Sequence, residues 1–330
     1  MFARSLAAPW EAGLSPAQYQ LICYFVGMGA LCFFVGFLRA WVTQGEVGAR
    51  YRTAVVARLG IMSVTFLCYL VVLLGLVFGY TRVDAVFVPN GWALVTIAVR
   101  YVEWSVAVPL LVVELLTVCA LLGGAARRIR LVAMAGGFLM VFSGYLGAVV
   151  ASAGTDAAAL AGWGVVACVF WVATTSILVV VVRRSLPALT IGSAALLRSA
   201  TIMLLSSWVV YPLVYLLPLV GSGGWVVVAM QVALTVADIV AKIWFGGLLH
   251  RVAKLRTAED VRAGRDVHPE AIWISSVKQS DAGKPREVYL AAGATVHLRR
   301  PQPPTSTAAA DALPDLFADP QPEAFADLEP

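Results

Sequence analysis

Charge is what this chain has least of. Across 330 residues only 13% are Asp, Glu, Lys or Arg, while 60% are hydrophobic. No soluble globular domain has that balance; long apolar stretches at this density mean membrane spans. The shortage is also uneven. Of 19 acidic residues, 12 follow residue 255, and only Glu103, Glu114 and Asp238 sit well inside apolar stretches. Lysine is scarcer still: Lys242 lies in such a stretch, and Lys254, Lys278 and Lys284 all come after it. The five cysteines (Cys23, Cys32, Cys68, Cys119 and Cys168) fall within apolar runs, without metal-ligand spacing and without an extracellular pair to bridge. They read as packing residues, and no metal site is expected. A cleavable leader is also missing. No charged n-region precedes a short apolar core, and the first apolar run, from near Gln18, is too long for a signal peptide. The net charge of +5 does not point to nucleic acid, because the basic residues cluster beside span ends, where they set orientation.

What the chain does have is seven runs long enough to cross a bilayer, each needing about 20 residues. They cover roughly 17–41, 51–80, 92–122, 129–152, 159–183, 190–219 and 224–252, and are named spans A to G. Short links suit a compact antiparallel bundle. The expected fold is therefore an all-α membrane protein, a seven-transmembrane-helix bundle whose partner is the lipid bilayer. Arg39, Arg50, Arg52, Arg127, Arg128, Arg130, Arg183, Arg184, Arg251, Lys254 and Arg256 flank one set of span ends; the other links carry only Arg82, Asp84 and Asp156. The basic side is the cytoplasmic one, which puts the N-terminus outside and the C-terminus inside. Residues 1–16 form a short extracellular N-terminus, 17–254 the seven-helix domain and 255–300 a polar cytoplasmic extension. Within that extension, Ala271 to Val277 and Glu287 to Leu290 could be strands. From Pro301 to 330 the segment is rich in Pro, Ala and acids, with no Lys or Arg, and reads as disordered. Its role is open between a solvated appendage and a docking or oligomer-capping element. It is too short for a kinase or cyclase domain, so the chain is not expected to be an enzyme and no catalytic residue is assigned.

An ionisable residue at mid-span costs several kcal/mol and marks a functional site by default. Lys242 lies in the middle of span G, four residues after Asp238, so the two share a face one turn apart. Span C reads Arg100-Tyr101-Val102-Glu103-Trp104, then Pro109, then Glu114. Span F reads Trp208-Val209-Val210-Tyr211-Pro212, followed by Tyr215. A Lys242–Asp238 pair could serve packing alone, but Glu103 and Arg100 add a second pair at the same depth. A buried amine among aromatics and two carboxylates suits a protonated Schiff base with its counterions.

These residues resemble the microbial (type 1) rhodopsin family across all seven spans. The specific elements are Arg-Tyr-x-acid-Trp with Pro109 in span C, Trp-x-x-Tyr-Pro in span F and Asp-x-x-x-Lys in span G. The resemblance implies all-trans retinal bound covalently to Lys242. It implies Glu103 and Asp238 as counterions, Glu103 as proton acceptor, and a surrounding network of Arg100, Tyr69 and Tyr211. Trp104 and Trp208 would sandwich the polyene. Val108, Leu111, Met140, Gly144, Thr174, Thr175, Leu178, Pro212, Tyr215 and Ala241 match pocket positions. The family also implies a multi-pass protein of the cell membrane and a homo-oligomer.

The chain departs from the familiar outward proton pumps, which carry Asp, Thr and Asp at three key positions of span C. Here these are Glu103, Ala107 and Glu114. Ala107 lacks the hydroxyl that links acceptor and Schiff base. Glu114 lies 11 residues beyond Glu103, ~16 Å along the helix, toward the cytoplasmic side where a proton donor belongs. No acid occurs from Pro218 to Met230, so the family's release pair is missing. Arg58, about two turns inside span B, matches a position where pumps have a small hydroxyl residue beside the donor. It should reach Glu114, unless it snorkels to the headgroups. Paired, Glu114 stays ionised and cannot donate, and a deprotonated Schiff-base state would be long-lived. A buried cytoplasmic arginine, a Glu counterion and an extended C-terminus resemble the cryorhodopsin group. Two functions follow from these features. One is a photoreceptor or photoswitch with a slow photocycle, signalling to an unidentified transducer on the cytoplasmic side. The other is a light-driven proton pump, with Glu103 as acceptor and Glu114 as donor.

Overall fold

A computed structural model of the chain describes residues 8–120 and 123–264. The expected strands at 271–277 and 287–290, most of the polar extension and the tail lie outside the described residues. Seven helical segments are long and apolar enough to cross a membrane. Span A is α1 (Pro16–Val42), span B α2 (Arg52–Gly79), span C α3 (Val95–Thr117), span D α4 (Gly123–Tyr145) and span E α5 (Ala157–Ser185). Span F is α6 (Ile191–Trp208) followed by α7 (Val210–Val220). Span G is α8 (Gly224–Asp238), a π turn (Ile239–Trp244) and α9 (Phe245–Arg262). The last helix thus runs ten residues past the expected end of span G at 252, because Lys254 to Arg262, though polar, meets no helix breaker before Gly264.

Local chemistry explains the segment ends. Ser15 and Gln18 exchange hydrogen bonds as a capping box, with Pro16 at the first helical position. Asp156 accepts from the Ala158 and Ala159 amides at the start of α5, and Thr190 accepts from the Ser193 amide at the start of α6. The break in span F at Val209 has its cause in Pro212, which has no N–H to give the Trp208 carbonyl. Between spans B and C the chain forms a hairpin, β1 (Tyr80–Val83) with β2 (Val86–Pro89), whose turn holds Asp84 at a φ of 52°. Bilayer lipid is as apolar as leucine, so helix contact here depends on close packing and buried polar links. Spans C and G are the inner helices, with 56% of the residues in their most apolar stretch buried; span E has 22%. The buried charges sit on or against those two inner helices. Gly29 of α1 lets Tyr69 into the same interior, where a Cβ would collide with the tyrosine ring.

Candidate functional site

The interior between spans B, C, F and G holds one continuous polar cluster. Lys242 Nζ donates to Asp238 Oδ1 at 2.6 Å and to Glu103 Oε2 at 3.0 Å. All three side chains are buried. The π turn from Ile239 to Trp244 follows Asp238 and contains Lys242. Such turns concentrate at functional sites because they change the angular step between neighbouring side chains.

The two carboxylates are held very differently. Asp238 Oδ1 also accepts from Tyr211 Oη at 2.8 Å and Trp104 Nε1 at 3.2 Å. Its Oδ2 accepts from Tyr69 Oη at 2.9 Å and Arg100 Nη1 at 3.4 Å. Five donors therefore converge on Asp238. Glu103 has two: Lys242 and the Thr65 hydroxyl, which donates to Oε1 at 2.6 Å. Arg100 stacks over the Tyr69 ring at 4.8 Å and donates to Gln231 Oε1 at 2.9 Å and Thr235 Oγ1 at 3.5 Å. Thr65, Gln231 and Thr235 escaped the sequence reading. Thr65 had a signal, since it lies one turn before Tyr69 on the same face of span B. It brings to Glu103 from span B a hydroxyl of the kind absent from span C at Ala107.

A cavity of about 630 Å³ adjoins this cluster, with Lys242 in its wall. Of the expected pocket residues, the structure brings Trp104, Val108, Leu111, Met140, Gly144, Trp208, Pro212 and Tyr215 to it, with Tyr211 of the polar network. It does not bring Thr174, Thr175, Leu178 or Ala241. The span E wall is built about one to four turns earlier, from Ala161, Gly164, Cys168 and Trp171, because Tyr215 packs on Gly164 and donates to the Leu160 carbonyl at 2.8 Å. Thr174 instead packs against Gly136, and Leu178 and Ala241 are fully buried in the packing. Val165, Val169 and Val172 of span E also line the cavity.

A second buried pair lies nearer the basic end of the bundle. Arg58 Nε is 3.8 Å from Glu114 Oε1, both side chains buried. That distance makes an ion pair and not a hydrogen bond. Glu114 Oε2 has no hydrogen-bond partner among the described residues. Span G passes beside the pair at Gly246, where a Cβ would lie 3.0 Å from Arg58 Nη2 and 3.4 Å from Glu114 Oε1.

Comparison with known proteins agrees with this geometry. The model of the bacteriorhodopsin-like protein family matches residues 20–255. Bacteriorhodopsin-I of Haloarcula marismortui is 28% identical over 241 residues, covering 68% of this chain and 87% of that protein. Sensory rhodopsin I of the same organism is 36% identical over 146 residues, covering 44% of this chain and 57% of its own. Among solved structures, xanthorhodopsin, described as a light-driven ion pump with dual chromophore, superposes with a TM-score of 0.67 at 26% identity. That match covers 75% of this chain and 98% of the other. The family implies a retinal chromophore joined to a lysine as a Schiff base. The residues present fit it: the cavity has the size of a ligand pocket and a largely apolar, aromatic wall, and a buried lysine stands in that wall between two carboxylates. A seven-helix membrane bundle with such a site, matched over most of its length, belongs to the bacteriorhodopsin-like family, the microbial type 1 rhodopsins, as a multi-pass protein of the cell membrane.

Proposed function

We propose that this chain is a light-activated photoreceptor carrying all-trans retinal on Lys242, with a slow photocycle and a long-lived state in which the proton has left Nζ. Nζ is the atom that becomes the Schiff-base nitrogen. Bound retinal supplies light absorption and an isomerisation that changes the direction of that nitrogen's proton. Everything else falls to the chain. Asp238, with five donors, is the better-stabilised anion and remains charged. Glu103, with two, is the carboxylate that takes the proton. Arg100, Tyr69 and Tyr211 fix Asp238, and the lining aromatics exclude water from the amine.

The observation that carries the slow cycle is the Arg58–Glu114 ion pair. A carboxylate held charged by a guanidinium has no proton to give. The orientation belongs to the same proposal: the basic ends of the spans face the cytoplasm, with the N-terminus outside. Glu114 then lies on the cytoplasmic side of Lys242. On the outward side Arg100 meets Gln231, an amide, where a release group would need an acid. This is the behaviour expected of the cryorhodopsin group. Homo-oligomerisation in the bilayer, and a transducer contacting the cytoplasmic end, complete the reading; similarity to a sensory rhodopsin supports the latter.

One observation favours a second reading, a light-driven outward proton pump. Glu103 touches Lys242 Nζ, Glu114 lies 11 residues further along span C, and Glu114 Oε2 is free to carry a proton. Similarity to xanthorhodopsin, a light-driven ion pump, points the same way. Flash photolysis of purified protein, with light-induced pH change in intact cells, separates the two. A cycle lasting many seconds with no pH change supports the photoreceptor. A fast cycle with outward acidification replaces it with the pump.

A further inference from the structure

We infer that His250, held by Glu46, is the proton-entry group for Glu114, and that proton uptake through it governs how fast the light-activated state recovers. The inference rests on the proposed placement of the chromophore on Lys242. It holds for a photoreceptor and for a pump alike, since both must return a proton to Nζ.

The geometry is a short file of titratable groups from the aqueous end of the bundle inward. Glu46, in the link between spans A and B, is partly exposed. Its Oε2 is 3.0 Å from His250 Nε2 and 2.7 Å from Lys254 Nζ. His250 itself is buried. It stands four residues after Gly246 on α9, one turn further toward the aqueous end, and Gly246 is the position at which span G touches both Arg58 and Glu114. The charged groups facing His250 are Glu46 from the A–B link, Arg58 from span B and Lys254 from its own helix. Beyond Arg58 lies Glu114, whose Oε2 has no hydrogen-bond partner among the described residues and is therefore the oxygen open to a proton.

A histidine ring carries a donor and an acceptor nitrogen on opposite edges, so one ring can be held by a carboxylate on one side and take or release a proton on the other. In the proposed step His250, whose Nε2–H donates to the Glu46 carboxylate, takes a proton from water at Nδ1, and Glu46 holds the charge of the imidazolium. The imidazolium then gives that proton inward to Glu114. The ring returns to neutral with Nε2–H still on Glu46, and Glu114 holds the proton as a neutral acid. Arg58 is the barrier in this path, because its positive charge opposes both an imidazolium beside it and the discharge of Glu114.

The test uses His250→Gln in the full chain. Gln retains an amide N–H for Glu46 but cannot titrate near neutral pH. Two readouts apply. In chromophore-free protein in lipid nanodiscs, ¹⁵N NMR of histidine-labelled parent should show His250 titrating with the medium, and the titration should respond to Glu46→Gln. With retinal added, recovery of the visible band after a flash should slow roughly 10- to 100-fold in His250→Gln and lose its pH dependence, and imidazole in the medium should restore part of the rate. The dark band and thermal midpoint should stay at the parent's values, which separates a relay from a structural tie. A His250 that never titrates, or a His250→Gln recovery within about twofold of the parent with the parent's pH profile, would overturn the inference. A fast parent cycle would instead count against the slow-cycle reading, and the variant-to-parent ratio would still judge His250.

Discussion

Two of the places where the described residues bury charge are treated differently. Around Asp238 five donors converge within 3.4 Å, and both carboxylates there have hydrogen-bond partners. Around Glu114 there is one ion pair at 3.8 Å and a carboxylate oxygen with no hydrogen-bond partner among the described residues. A densely bonded cluster resists rearrangement even with Arg100 Nε left without a hydrogen-bond partner among the described residues, because moving any member strands further buried polar groups. A sparse one can change partners at small cost. In the proposed photoreceptor the first arrangement suits a fixed electrostatic environment, which would set colour. The second suits a switch, which would set time. Substitutions at the first cluster should therefore alter the absorption band, and substitutions at the second should leave the band and alter the kinetics.

The largest effect is expected at Lys242. Lys242→Ala should give folded, colourless protein in the presence of all-trans retinal, measured as loss of the visible band with helicity retained. A band that survives denaturation and reduction would place the chromophore elsewhere. Next comes Glu103→Gln, which removes one of two negative charges touching Nζ. The band should shift to the red, as positive charge on the nitrogen becomes less localised. An unchanged band would leave Asp238 as sole counterion.

Thr65→Val should act more gently on the same cluster. It takes from Glu103 one of two donors, about 1.5–3 kcal/mol of charge-assisted hydrogen bonding. The counterion's field at Nζ sharpens, so the band should move to the blue by less than Glu103→Gln moves it to the red. A red shift would mean that Thr65 is not the hydroxyl orienting Glu103.

The smallest effect belongs to Glu46, outside the spans. Burial alone would push its carboxyl up, but hydrogen bonds from Lys254 and His250 outweigh that and hold it below the usual carboxylate range. A depressed carboxyl contributes stability above its unfolded value, near 4.3, and loses it as pH falls through the lower folded value. The tie is solvent-screened, so Glu46→Gln should cost about 0.5 kcal/mol at neutral pH and nothing in acid, read from melting temperature against pH. A cost that persists in acid would mean the contact is not ionic.

Much of this was legible because charge is so rare in the spans. When few ionisable residues lie inside apolar runs, each has few candidate partners, and Arg58 with Glu114, or Lys242 with Asp238 and Glu103, can be matched from spacing and depth. The motifs around Trp104, Trp208 and Tyr211 placed spans C and F for the same reason: their aromatics interrupt an otherwise uniform background. Span E shows the opposite case. It is apolar all round, so no stripe fixes which turn faces the cavity, and Thr174, Thr175 and Leu178 were expected where Gly164, Cys168 and Trp171 stand. The π turn at Lys242 depends on packing that no local pattern encodes. Glu46 and His250 meet across 204 residues, one in a link and one in a span, with no periodicity to join them.

The most direct test of the division between colour and time is time-resolved absorption of Arg58→Thr beside the parent, with and without Glu114→Gln. With the guanidinium gone, Glu114 can hold and donate a proton. The long-lived blue-shifted state should then decay at least about tenfold faster, with the dark band unmoved. Adding Glu114→Gln should return it to slow decay. Decay of Arg58→Thr as slow as the parent at every pH tested, or a displaced dark band with unchanged kinetics, would contradict the assignment of timing to Arg58 and Glu114.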